Sequence, residues 1–252
     1  SMTTFSFGQQ TASTVEPPRT ADLSFHYRIE NPAYPSGKGP IVVVDEAHNN
    51  FHTAIGTYIP FARLLEEDGY VIKRGTTKIT PELLHSCRIL VIADAQAPLK
   101  IGDPPTFSDQ EIDALNKWVR QGGALFLITD HMPDPTAVEK LARSFGITVN
   151  NGYVLNGFLS GRERPIVFRR SDNTLLDHLV TNGRSLSEKI KSVATFAGSA
   201  FKAGPNFKPI LVFKKDKRSW MPKKFWEFPP GTPNISVAGW FQGAVSNFGK
   251  GK

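Results

Sequence analysis

Cysteine is almost missing from this chain of 252 residues: Cys87 stands alone. No disulfide can form within the chain, and cysteine usage leaves the compartment open. Long hydrophobic runs are missing too. None approaches the roughly 18 apolar residues of a membrane-spanning helix, so no transmembrane segment is expected. Charged residues are few, 21% against 40% hydrophobic. That balance excludes a disordered chain and leaves enough apolar material for one substantial core. No glycine-rich phosphate fingerprint is present, so no nucleotide cofactor is expected.

The net charge is +7, which favours anionic partners in general. The cations gather in one place: Lys214, Lys215, Lys217, Arg218, Lys223 and Lys224, interleaved with Trp220, Phe225 and Trp226. Such a stretch suits sugar rings or polyanions, or simply keeps a sheet edge soluble. No nucleic-acid motif accompanies it, so nucleic acid is not the expected partner. Oligomeric state is not legible.

Ser1-Met2 reads as a cloning scar, and residues 1–21 as a polar, disordered lead-in. A trimmed signal peptide would leave such a stretch, which favours a periplasmic or secreted location over the cytoplasm. Residues 22–252 read as one α/β domain. An arm or edge strand around Phe25 to Ile29 leads into the β-branched run Ile41 to Val44, expected of a strand buried on both faces. Strands at Tyr70 to Lys73, Arg88 to Ala93, Ala124 to Thr129 and Ile147 to Val149 follow. Between them lie helices near Tyr58 to Leu65, Pro81 to His85, Ser108 to Arg120 and Pro135 to Phe145. Thr80 is a candidate N-cap, and Ser108 with Glu111 forms a capping box. This alternation predicts right-handed crossovers and a parallel sheet. The last hundred residues carry short strands (Pro165 to Arg169, Ile190 to Phe196, Pro209 to Phe213, Ile235 to Ala244), expected to extend the sheet, partly antiparallel. The closing GKGK reads as a turn into a further strand, hence as a truncated C-terminus.

Ligands of open α/β sheets bind beyond the carboxyl ends of the strands. Asp45, Glu46 and His48 follow the first strand, Asp94 the third, Asp130 and His131 the fourth. If the first of these loops is helical, His52 shares a face with His48. Asp45, His48, His52, Asp130 and His131 are then candidate ligands for zinc or another divalent ion, with Asp45, His48, Asp130 and His131 as candidate catalytic groups. A metal-free alternative is a histidine base oriented by a carboxylate. Cys87 and His85 lie at the wrong end of their strand, Asp177-His178 opens a loop that either reaches the site as an extra acid or base or is a surface turn, and GFLSG (157–161) lacks the context of a nucleophile elbow.

The segments VVVDEAHNNFHT, F-x-x-LLEEDGY, WVRQGGALFLITDHMP and FGITVNNGYV resemble a bacterial family of unknown function. It belongs to the class I glutamine amidotransferase-like superfamily, whose related domains include a gliding-motility transporter component and intraflagellar transport proteins. The resemblance implies a flavodoxin-like three-layer sandwich with a mainly parallel central sheet. Amidotransferase activity is not implied, because the lone cysteine is misplaced. The expected function is a hydrolase-like enzyme, metal-assisted or not, acting on a small molecule or polymer. The alternative is a non-catalytic domain that binds a carbohydrate or protein.

Overall fold

The computed structural model describes residues 20–97, 105–156 and 165–252. The lead-in up to residue 19 and the GFLSG segment lie outside the described residues. Four five-residue strands build the central sheet: β1 (Ile41–Asp45), β2 (Val71–Gly75), β3 (Ile89–Ala93) and β4 (Ala124–Ile128). All pair in parallel, in the order β2-β1-β3-β4. The chain therefore reverses its direction of winding between β1 and β3, where open α/β sheets hold their ligands.

Side chains alternate across a strand, so each apolar strand feeds two cores. On one face Val42, Val44, Val91 and Ala93 meet Ala62, Phe61 and Leu65 from α1 (Ile59–Glu67). On the other, Val43, Leu90 and Ile92 meet Leu84 of α2 (Pro81–His85), Ile112, Leu115 and Trp118 of α3 (Asp109–Arg120), and Val138 and Leu141 of α4 (Pro135–Ser144). Each such side chain taken from water contributes about 1.5–3 kcal/mol. The result is the flavodoxin-like three-layer sandwich.

Local chemistry sets the helix starts. Thr80 accepts a bond from the Leu83 amide, and Ser108 and Glu111 cap each other reciprocally. Gly123, which ends the α3 turn, has no substitute: a Cβ there would lie 2.3 Å from the Trp118 indole.

The C-terminal half departs from expectation in its pairing. The segment Ile147–Val149 (β5) is not a fifth parallel strand. It pairs antiparallel with β9 (Phe201–Ala203), in a sheet ordered β10-β13-β9-β5 with β10 (Phe207–Val212) and β13 (Phe241–Ser246). The reason lies at the edge of β4, where a fifth strand would pair. There the Leu125 amide is already bonded to the Lys252 carbonyl, and the Lys252 amide to the Gly123 carbonyl. Two further antiparallel sheets join β6 (Tyr153–Val154), β11 (Arg218–Trp220) and β12 (Asn234–Ser236), and β7 (Ile166–Arg169) with β8 (Ser192–Thr195). The late strands thus surround a second core around Phe168, Leu175 and Phe213 instead of widening the first sheet. The run expected as one strand over Ile235 to Ala244 is two, β12 and β13, with Gly239 at positive φ between them. The arm near Phe25 forms no strand. It is tied down by side chains, Arg63 donating to the Leu23 carbonyl and Arg184 to the Asn31 carbonyl. No helix among the described residues is long and apolar enough to cross a membrane.

Candidate functional site

The loop from Glu46 to Tyr58 is not helical. Asn49, at φ +52°, turns the chain between the two histidines. His48 and His52 consequently face different partners, and the five residues expected to converge divide into separate groups.

The first group is buried. Both oxygens of Asp45 lie within 2.9 Å of His48 Nδ1, while His48 Nε2 lies 2.9 Å from Glu111 Oε1. Phe107 stacks on the imidazole at 4.2 Å. Burial pulls the His48 ring toward its neutral form, but the bonds and charges of Asp45 and Glu111 outweigh it and raise the pKa. Glu111 is held below its usual value: burial pushes it up, and bonds from Ser108, His48 and the Ile79 amide more than offset that. The imidazole is thus clamped between two carboxylates, an arrangement that favours its protonated form. Glu111 was legible only as a capping residue. One of its oxygens does serve Ser108; the other reaches His48, 63 positions away in sequence, and no local pattern carries that signal.

The second group lies at the winding reversal. Asp94, the residue after β3, is buried and adopts φ +52°, a left-handed conformation unusual outside glycine. Its Oδ2 lies 4.0 Å from His52 Nε2, and its Oδ1 accepts the Asp130 amide at 3.3 Å. His52 Nδ1 is 2.7 Å from Thr57 Oγ1, and the ring stacks on Tyr58 at 4.3 Å. Burial, then the charges of Asp94 and Asp130, push the Tyr58 hydroxyl up to about 12. His52 and Asp130 retain partial exposure, 17% and 23% of their side chains. Solvent therefore reaches an imidazole and a carboxylate backed by a second, buried carboxylate.

The third group supports Asp130. His131 is buried, stacked on Tyr153 at 4.3 Å and edge-on to Trp226 at 5.0 Å. Its Nδ1 is 2.9 Å from the Met132 carbonyl, and its Nε2 is 3.8 Å from Asp130 Oδ2. Exposed Phe196 and Phe225 flank Trp226, each 6.3 Å away. The aromatic half of the basic stretch is therefore turned inward at Trp226, behind His131. Of its lysines, Lys214 pairs with Asp172, Lys217 with Asp216 and Lys224 with Glu227.

The minor candidates lie elsewhere. Cys87 packs against the main core, and burial pushes its thiol up to about 11. His85 Nδ1 is 2.6 Å from the Pro81 carbonyl, His178 caps α5 (Leu179–Asn182), and Asp177 pairs with Arg170. Glu46 binds Arg74 and the Ala54 amide. Among the described residues, no three His, Cys, Asp or Glu side chains stand together as a metal-ligand set.

No family model matches the chain, and no curated protein matches it in sequence. Among solved structures, the mmIFT52 N-terminal domain is similar with a TM-score of 0.53 and 16% identity, over 79% of this chain and 85% of that one. The likeness is one of fold. It agrees with the three-layer sandwich. A ThuA-like protein from Bacteroides uniformis has a TM-score of 0.42 and 14% identity, over 90% of this chain and 86% of its own. The exo-β-1,4-mannosidase Op5Man5 from Opitutaceae bacterium strain TAV5 has 0.39 and 13%, over 84% of this chain and 30% of its own.

Proposed function

We propose that the strand-end group His52, Tyr58, Asp94 and Asp130 is the active centre of a hydrolase-like enzyme that works by acid–base chemistry. One observation carries this reading: a part-exposed imidazole stands over a buried carboxylate whose backbone is held in a left-handed conformation, at the winding reversal of the sheet. Strained backbone of this kind concentrates where a side chain must be aimed. In this reading Thr57 fixes the His52 ring through Nδ1, and His52 Nε2 takes the proton from a water whose oxygen attacks the substrate. The charge of Asp94 steadies the imidazolium, which returns that proton to the leaving group beside Asp130. Tyr58, still protonated at neutral pH, donates to a developing negative charge. Asp45, His48 and His131, the other expected catalytic groups, shape the loops that carry these four.

The test is a panel of chromogenic esters, amides and glycosides offered to the purified chain and to His52→Ala and Asp94→Asn. Turnover that falls by about 10²–10⁴-fold in both variants supports the reading, in line with the worth of general acid–base catalysis. Turnover unchanged in His52→Ala would sink it.

The exposed rings of Phe51, beside His52, and of Phe196 and Phe225, beside Trp226 and His131, favour a second reading, a domain that binds a carbohydrate without cleaving it. In that case calorimetry with an oligosaccharide panel gives an affinity that survives His52→Ala and weakens in Phe225→Ala.

A further inference from the structure

The loop that carries His52 is fastened at several points upstream. The His48 carbonyl accepts the Gln96 amide, and the His48 amide donates to Asn50 Oδ1. Asn50 Nδ2 in turn donates to the Ala93 carbonyl, and the Phe51 amide to the Asp94 carbonyl. The backbone of residues 48–51 therefore lies across the end of β3, which leads directly into Asp94. The His48 ring is held at Nδ1 by Asp45, three positions earlier in the chain, and at Nε2 by a carboxylate from a distant element, Glu111 of α3. Glu111 Oε1 receives His48 Nε2 and the Ile79 amide, at 2.9 and 3.1 Å; Oε2 receives the Ser108 amide and hydroxyl, at 3.0 and 2.8 Å. Three chain segments, the β1–α1 loop, the β2–α2 loop and the start of α3, meet on a single buried side chain.

Helix capping alone needs one of those oxygens, the one that serves Ser108. Placing a carboxylate in the interior is costly unless every lone pair is used and an opposite charge stands beside it. Here His48, the Ile79 amide and Ser108 together occupy the carboxylate oxygens, and His48 supplies the charge. The expense is spread over a contact that a cap does not require, and that contact ends at the loop bearing His52.

We infer that Glu111 is a positioning residue for the strand-end centre: acting through His48, it holds the 48–52 loop so that His52 faces Asp94. This rests on the reading of His52 and Asp94 as the reacting pair, but its test does not use turnover. The bonds of the Glu111 carboxylate go to His48, Ile79 and Ser108. Its influence passes from α3 to His48, along the main chain through Asn50 and Phe51, to His52. The mechanical consequence is local: loss of the anchor frees the loop while the strands beneath keep their pairing.

Amide hydrogen exchange followed by NMR separates this role from general stability. In Glu111→Ala, the Phe51 and Gln96 amides are expected to exchange at least about ten-fold faster, while Leu90 and Val91 in the middle of β3 keep their protection. Glu111→Gln retains an acceptor for His48 and Ile79, and is expected to bring Phe51 back to within about three-fold of the parent. His48→Gln, which leaves Glu111 and the cap in place, should reproduce the loosening at Phe51; this variant decides the matter if Glu111→Ala does not fold. Phe51 as protected as in the parent, or Phe51, Leu90 and Val91 accelerating together, would overturn the inference. Absence of turnover on every substrate leaves these exchange rates unaffected, so failure of the catalytic reading and failure of this one are told apart.

Discussion

At the scale of single residues the decisive contrast is between His48 and His52, four positions apart. His48 spends both ring nitrogens on carboxylates inside the protein; His52 keeps a face toward solvent. Removing His48 leaves Asp45 and Glu111 buried without their counter-charge, a change that costs about 3–5 kcal/mol in comparable buried pairs. His48→Ala is therefore expected to lower the urea midpoint strongly, whereas His52→Ala, cutting no such network, should stay within about 1 kcal/mol of the parent. The pH dependence follows from the same pair. The folded pKa of His48 is raised from 6.5, so its contribution is full below that value and is lost as pH rises through the folded one. The folded pKa of Glu111 is lowered from 4.5, so its contribution is present above that value and is lost as pH falls through the folded one. Thermal unfolding across pH should show the network's full effect between about pH 4.5 and 6.5, with an alkaline decline that disappears in His48→Gln. Tyr58 gives a separate optical check. Absorbance titration of the phenolates should contain a component near 12 that Tyr58→Phe removes.

At the scale of elements, the parallel strands and their helices were legible because period and punctuation agree. The run Ile41 to Val44 is apolar on both faces, and Thr80, Ser108 and Gly123 mark element ends by the backbone groups they satisfy or the space they leave. The convergence of β1, β3 and β4 at one end was legible for the same reason. Which loop residues would meet there was not. Whether His48 and His52 share a face depends on the φ of Asn49, and the bond from His48 to Glu111 spans 63 positions. Nor did Ile147–Val149 carry any mark of its partner, since three residues of strand pattern fit a parallel or an antiparallel neighbour equally. The capping box offers a test at this scale. Ser108→Ala deletes the side-chain bond to the Glu111 amide and one bond to its carboxylate. A loss of about 1–2 kcal/mol is expected by chemical denaturation, toward the upper end for a cap because Glu111 must then be desolvated with fewer donors.

At the scale of the whole molecule, Tyr153, Trp226 and Phe228 form a packed aromatic group apart from the core of the central sheet and the core of the late strands. Tyr153 is fully buried, its hydroxyl donates to the Met132 carbonyl, and its ring carries His131. The late antiparallel strands are thus coupled to the strand-end centre through one ring. Tyr153→Ala should destabilise the protein by about 3–5 kcal/mol and, in NMR spectra, disturb the signals of both Asp130 and Trp226. Small shifts confined to one side would show the two halves to be independent.

Trp226 gives the molecule an indicator of its own. Indole emission responds to the groups packed around it, and here the His131 ring lies 5.0 Å away, edge to face. Three other tryptophans emit as well, but Trp118 lies on α3 against Gly123, Trp220 ends β11 and Trp240 precedes β13. A variant keeping only Trp226 would turn the occupancy of the strand ends into a change of light. Ligands for a protein whose substrate is unidentified could then be sought by titration in a cuvette, without a dye, a coupled reaction or any prior guess at the chemistry.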